Sequence, residues 1–296
     1  MTIMSLTTKL ANRPVHQRHE VYRVMWHLGH DAVALTGLAV VLLVIGSAVF
    51  APYIAPYSPT EIHLDAVFQE PSRQYLLGTD ALGRDMLSRI LYGARVSLQA
   101  GVGSVVFAIP FGVALGLVAG YLGGWVDNII SRLLDVGFAF PTLLLALLVV
   151  AVLGTDFKNL IIALALVYVP RFARITRGSV LSVKTTLYVE AARHYGCSVL
   201  RIMTRHILPN ILSPIIVQST VNLATAVLAE ASLSFLGLGV QPPRPAWGSM
   251  LNAGKAYMEQ YPHLTFFPGL AIAITVLGFN FLGDGLRDAL DPSLRR

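Results

Sequence analysis

The residues of this chain whose types and spacing could do chemistry fall into three groups. They are paired histidines near the start, a polar island around position 190, and isolated polar groups inside apolar runs. His16 with His19 and His27 with His30 form two H-x-x-H pairs, a spacing that puts two imidazoles on one helix face, as metal ligands need. Arg13, Arg18 and Arg23 lie among them, so the segment reads as a solvated basic tail and no metal is expected. None of Lys9, Lys158, Lys184 and Lys255 sits in G-x-x-x-x-G-K-[ST], and H-E-x-x-H and G-x-S-x-G are both missing. The chain is therefore expected to be no enzyme and to hold no cofactor. The single Cys197 excludes an intrachain disulfide and suits a reducing compartment.

The polar island runs from Glu190-Ala191-Ala192 through Arg193, His194, Tyr195 and Gly196 to His206-Ile207-Leu208-Pro209. Val189–Arg193 and Cys197–Ile207 have helical character, with Val199, Leu200, Met203 and Ile207 at three- and four-residue spacing. Gly196 between them permits a sharp turn or the close approach of a partner. A short helix that presents apolar residues with a fixed acid suits insertion into a groove. Inside the apolar runs, Glu230, Asn222 and Asn280 are candidates for a translocation pathway, because polar groups are costly in lipid. A carboxylate could meet the α-amino group of a peptide. The competing reading places Glu230 at the outer interface and lets Asn280 bond a neighbouring helix.

Composition dictates the elements that carry these groups. Of 296 residues 55% are hydrophobic and 13% charged, about half the charge of a soluble domain. Six runs are long enough to cross a hydrocarbon core of ~30 Å: Ala32–Ala51, Val96–Leu122, Ile129–Leu153, Leu160–Val180, Ile211–Leu236 and Leu264–Gly283. The fourth is the weakest, since its apolar run stops at Pro170 and Arg171, Arg174 and Arg177 follow on one face. With six spans and a cytoplasmic N-terminus, 15 Lys and Arg lie inside and seven outside, as the positive-inside rule asks. Removing the fourth span would put the most basic loop outside. The net charge of +6 thus reports topology and anionic lipid, and no nucleic-acid partner is expected.

The organisation that follows is a cytoplasmic tail (1–31), an uncleaved first helix (32–51), a periplasmic loop (52–95) and a core transmembrane domain (96–283). A cytoplasmic loop (181–210) lies within that core, and a cytoplasmic tail (284–296) ends the chain. The outer loop contains Pro52, Pro56, Pro59 and Pro71, which forbid continuous helix. Its end, Arg84–Arg95, reads as an amphipathic helix lying in the interface, with Asp80 to cap it and Gly83 for a tight turn. Gly112, Gly116 and Gly120 form a small-residue stripe for close helix packing, within the bundle or between subunits. Pro110 and Pro141 are expected to kink their helices, and Arg132 and Asp135 to pair at i, i+3.

The island resembles the signature of bacterial ABC importer permeases: E-A-A, three residues, G, nine residues, then I-x-L-P. Glu190, Ala191, Ala192, Gly196, Leu208 and Pro209 fit it, and His206 stands in for the usual apolar residue. Three further stretches, Leu77–Arg95, Ser234–Pro243 with Trp247 and Gly248, and Phe279–Pro292, resemble the C-type permeases of the dipeptide, oligopeptide and nickel importers. The resemblance implies an all-α, type I ABC importer permease fold with six transmembrane helices and both termini cytoplasmic. It also implies a heterodimer with a B-type permease, two ATPase subunits holding ATP and Mg, and an extracytoplasmic substrate-binding protein, with Glu190, Ala191, Ala192, Gly196, Leu208 and Pro209 docking the ATPase. The leading alternative is a secondary transporter driven by an ion gradient.

Overall fold

The structure, a computed structural model, describes residues 29–290; His16, His19 and His27 and the stretch 291–296 lie outside the described residues. Its long helices are α1 (Ala32–Ile54), α2 (Met86–Leu122), α3 (Gly124–Ala139), α4 (Thr142–Leu153) and α5 (Phe157–Val183). They are followed by the short α6 (Leu187–His194), then α7 (Val199–Phe235), α8 (Trp247–Gly254) and α9 (His263–Leu290). Five helices are long and apolar enough to cross a membrane, and α3 with α4, bent by 92°, makes a sixth span if the pair is taken as one.

The packing of α2 on α5 decides how many times the chain crosses. A Cβ added at Gly112 would lie 2.5 Å from Phe172 Cβ, at Gly116 2.5 Å from the Ala173 carbonyl, and at Gly120 2.8 Å from Val180 Cβ. Gly103 sits against Ile161 farther up the same seam. The glycine stripe therefore brings two spans of one bundle to backbone contact from Gly112 to Gly120, over roughly 12 Å, with Gly103 meeting a side chain beyond it. Residue numbers rise together along both helices, so α2 and α5 run parallel. Two parallel spans side by side require the chain between them to return across the membrane. Only α3 and α4 lie there, so the bent pair is one crossing and the spans number six.

Proline acts differently at each site. Pro110 and Pro170 stay inside continuous helices, and Pro170 is buried against Gly137. At Pro141 the chain breaks, with Phe140 extended (φ −101°, ψ 139°), the conformation favoured before proline. Pro52 sits in the last turn of α1, which runs on to Ile54. The Arg84–Arg95 segment is not a separate interfacial helix either. From Met86 it is continuous with the second span, and Ser88 and Arg89 on its polar side are buried. They are held by the outer loop: Asp85 caps α2 at the Ser88 N–H (2.8 Å), Tyr57 N–H donates to Ser88 Oγ (3.1 Å), and Arg89 donates to the Pro59 carbonyl (2.9 Å). Asp80 accepts from the N–H groups of Leu82 and Arg84 and pairs with the Arg84 guanidinium at 2.7 Å. Gly83, at φ +73°, makes the turn, and a Cβ there would fall 1.8 Å from the His63 carbonyl.

The arginine stripe of α5 grips α3 and α4. Arg177 forks onto Asp127 (2.5 and 2.7 Å), Arg174 meets Asp135 (3.1 Å), and Arg171 donates to Thr142 Oγ1 (2.9 Å). Asp135 thus pairs across helices with Arg174, not with Arg132 at i−3, because α3 turns this carboxylate toward α5. The contacts of the positions from Asp127 to Thr142 fall between Arg177 and Pro170, a much shorter length of α5, so α3 crosses α5 at a steep angle before α4 turns to follow it.

The seam gives a sharp expectation. Gly116→Ala should destabilise the purified protein by about 1–3 kcal/mol through overpacking. Gly178→Ala, on an exposed helix position with nothing within 4 Å of the added methyl, should be neutral or slightly stabilising. Thermal unfolding in detergent compares the two, and equal midpoints would contradict the close seam.

Candidate docking surface and buried polar groups

The polar island folds into α6, a turn at Gly196 (φ +76°) and the start of α7. Glu190 occupies the first turn of α6 and Arg193 with His194 the last, each matching the helix dipole. Val189 and Ala192 are buried, packed in the cluster that contains Val180, Ile202, Ile207 and Ile211. The opposite face is open: Leu187 is 85% exposed and Tyr195 89%, with Tyr188, Glu190 and Ala191 exposed between them. An apolar surface of this kind carrying one acid is a docking face in search of a groove.

Three contacts on and beside α6 hold it in place. Lys184 Nζ donates to the Gly120 carbonyl at 2.8 Å, satisfying one of the orphan acceptors at the end of α2. The Arg193 guanidinium lies 5.7 Å above the Tyr121 ring, and Cys197 N–H donates to the Ala192 carbonyl. The segment Cys197–Ile207, read from sequence as part of the loop, is for the most part the beginning of the fifth span. The helix runs from Val199 to Phe235 through a π turn at Ile202–Ile207 and a tight 3₁₀ turn at Leu208–Ile211. Leu208 is half-buried and Pro209 exposed within that tight turn, where a missing N–H costs least. Movement of α6 is therefore handed to a continuous helix rather than to a slack loop.

The three pathway candidates are placed apart in character. Glu230 is fully buried late in α7, where Ser97 Oγ and Ser234 Oγ each donate to its carboxylate at 2.7 Å. Ser234 Oγ accepts in turn from the Val240 N–H, so Glu230 ties α2 to the loop that follows α7. Asn222 is fully buried; its Oδ1 accepts from Gln218 Nε2 at 2.9 Å while its Nδ2 has no partner. Asn280 is half-buried in α9. No hydrogen bond joins the three to one another. Sequence reasoning missed Ser97 and Trp247: the indole N–H donates to the Ile90 carbonyl (3.0 Å), and Gly93 and Gly248 give the room for α8 to seat. The Ser97–Glu230 bond joins residues 133 positions apart, beyond any local pattern.

The comparisons with known proteins agree with this architecture. The family described as binding-protein-dependent transport system inner membrane component matches residues 112–296, more than half of the chain. The N-terminal transmembrane domain of oligopeptide transport permease C matches residues 22–71. The chain is 50% identical over 279 residues, 92% of each protein, to the glutathione transport system permease protein GsiD of Shigella flexneri serotype 5b (strain 8401). It is 48% identical, with the same coverage, to that of Escherichia coli O6:K15:H31 (strain 536 / UPEC). Among solved structures, the inward-facing MetNI methionine ABC transporter aligns with a TM-score of 0.58 at 20% identity, covering 70% of this chain and 98% of that one. An amino acid ABC transporter solved with histidines aligns at 0.51 and 16% identity, covering 68% and 94%. These two likenesses speak for the fold alone, which is that of the type I importer permeases. A six-span helical bundle with this match over most of its length belongs to the binding-protein-dependent transport system inner membrane components, as a multi-pass ABC importer permease of the peptide and nickel group.

Proposed function

We propose that the chain forms half of the translocation pathway of an ATP-driven importer of small peptides, with glutathione the first candidate substrate. The other half is a B-type permease, and ATP and Mg are held by two separate ATPase subunits that dock on α6. The observation that carries the coupling role is the geometry of α6: an exposed apolar face with Glu190 at its start, pinned through Val189 and Ala192 to the inner ends of α2, α5 and α7. Docking would engage Glu190, Ala191 and Gly196; Ala192, expected from the sequence to dock, is buried and anchors α6 instead, with Leu208 and Pro209 setting the turn behind them. The GsiD relatives support the substrate, since they match nearly end to end at about half identity. A substrate-binding protein would deliver it on the face of the outer loop.

In this reading α6 faces the cytoplasm, and closure of the ATPases rocks the bundle through α7. Coupling requires that the pathway bind substrate differently in its two states. Asn222, Glu230 and Asn280 are assigned to that pathway, with Glu230 holding α2 to the outer end of α7 in the conformation described here.

Three outcomes are expected. Glu190→Lys should leave the complex in the membrane while lowering ATPase recovery and glutathione uptake together, by tenfold or more; co-purification and uptake with normal values would remove the docking role. Glutathione uptake should vanish when the ATPase subunits are deleted and persist when the proton gradient is collapsed, whereas the reverse pattern would establish the ion-driven alternative. Glu230→Gln should slow uptake several-fold with ATPase docking intact, and unchanged uptake would take Glu230 out of the pathway.

A further inference from the structure

The arginine stripe of α5 contains one cation that the fold does not neutralise. Arg177 and Arg174 each have an aspartate, but Arg171 has no carboxylate within 4 Å among the described residues. Its guanidinium donates once, to Thr142 Oγ1, and lies 5.4 Å from the centroid of the fully buried Tyr168 ring. A guanidinium has five N–H donors, so one accepted bond and a ring face leave most of its hydrogen-bonding capacity open.

Position makes this unusual. Arg171 is fourteen residues into a helix of 27, about 21 Å from its start. The α2 seam places it independently, since Gly112, well inside the second span, packs against Val169 and Phe172. A cation at that depth facing lipid would cost several kcal/mol, and charged groups inside spans face water-filled or protein-lined spaces. The half-buried Arg171 and the exposed Arg174–Asp135 pair lie on one face of α5, directed at the Pro141 break, and a charged face at this depth is expected to line a protein or water-filled space rather than lipid. The guanidinium lies over the neighbouring Tyr168 ring and uses only Nη2, toward Thr142, which leaves Nε and Nη1 able to donate to a planar anion.

We infer that Arg171 is a substrate contact in the pathway and recognises a peptide carboxylate, with Tyr168 beside it and Thr142 as a structural partner that recognition does not require. This rests on the peptide-import reading above, and it narrows the substrate class to peptides with a free carboxylate. Glutathione qualifies through its terminal glycine.

The test compares uptake of glutathione with uptake of its glycine carboxamide by the full complex, reconstituted with its binding protein. Discrimination by the binding protein is the same for every permease variant and cancels when variants are compared. Wild type should favour the free acid, and Arg171→Gln should reduce that preference by roughly tenfold, the worth of one charge-assisted hydrogen bond, in complex matched for recovery. Arg171→Lys should retain part of the preference, since it keeps the charge without the fork. Thr142→Val removes the structural partner alone and should preserve the preference. If Thr142→Val instead mimics Arg171→Gln, or if Arg171→Gln keeps the wild-type ratio, the arginine is a structural brace and the inference is overturned. Failure of the wild-type complex to move glutathione at all would overturn both this contact and the substrate reading, whereas transport with an unaltered ratio would sink the contact only.

Discussion

Backbone contact between α2 and α5 along Gly112, Gly116 and Gly120, extended by Gly103 against the Ile161 side chain, is the constraint from which the rest of the molecule follows. In lipid there is no hydrophobic force to drive helices together, so association depends on close van der Waals fit, and only missing side chains allow it over this length. That fit sets the two helices parallel. Parallel neighbours oblige the intervening chain to recross, and the recrossing segment must bend because α3 is drawn sideways over the arginines of α5. The seam also delivers the inner end of α2 to α6, where Lys184 and Arg193 take hold of Gly120 and Tyr121.

Polar groups are placed with economy at both ends of the bundle. On one side the Pro-containing loop folds over the start of α2, and its bonds to Ser88 and Arg89 convert a segment with an amphipathic pattern into a buried polar joint. Trp247 and Glu230 then join the last loop and α8 to the same helix. On the other side the buried half of α6 is apolar and its free half is mixed, which is how an interaction surface differs from a helix that merely covers a core. The two ends are linked by α2 and α7, each 37 residues long.

Much of this was open to a sequence reader, for specific reasons. Runs of apolar residues near twenty long fix the spans because unsatisfied backbone cannot exist in hydrocarbon, and the basic loop fixes their number. The island stood out because charge is scarce elsewhere. What could not be read were choices made by tertiary contact. Asp135 had Arg132 at helical spacing and Arg174 in space, and packing preferred the second. Pro110, Pro141 and Pro170 look alike in sequence, yet only Pro141 breaks its helix; Pro170 is retained because Gly137 and its neighbours enclose it. Glu230 was visible as an acid in an apolar run, but its two serine donors come from one turn away and from another helix altogether.

The wide turn at Ile202–Ile207 has a mechanical meaning of its own. A π turn accommodates one residue more than the ordinary helix, so restoring regular winding there would advance everything beyond it by about 1.5 Å and swing it through roughly 100°. The span that begins beside α6 thus contains a screw joint, placed between the exposed face of α6 and the part that bears Asn222 and Glu230.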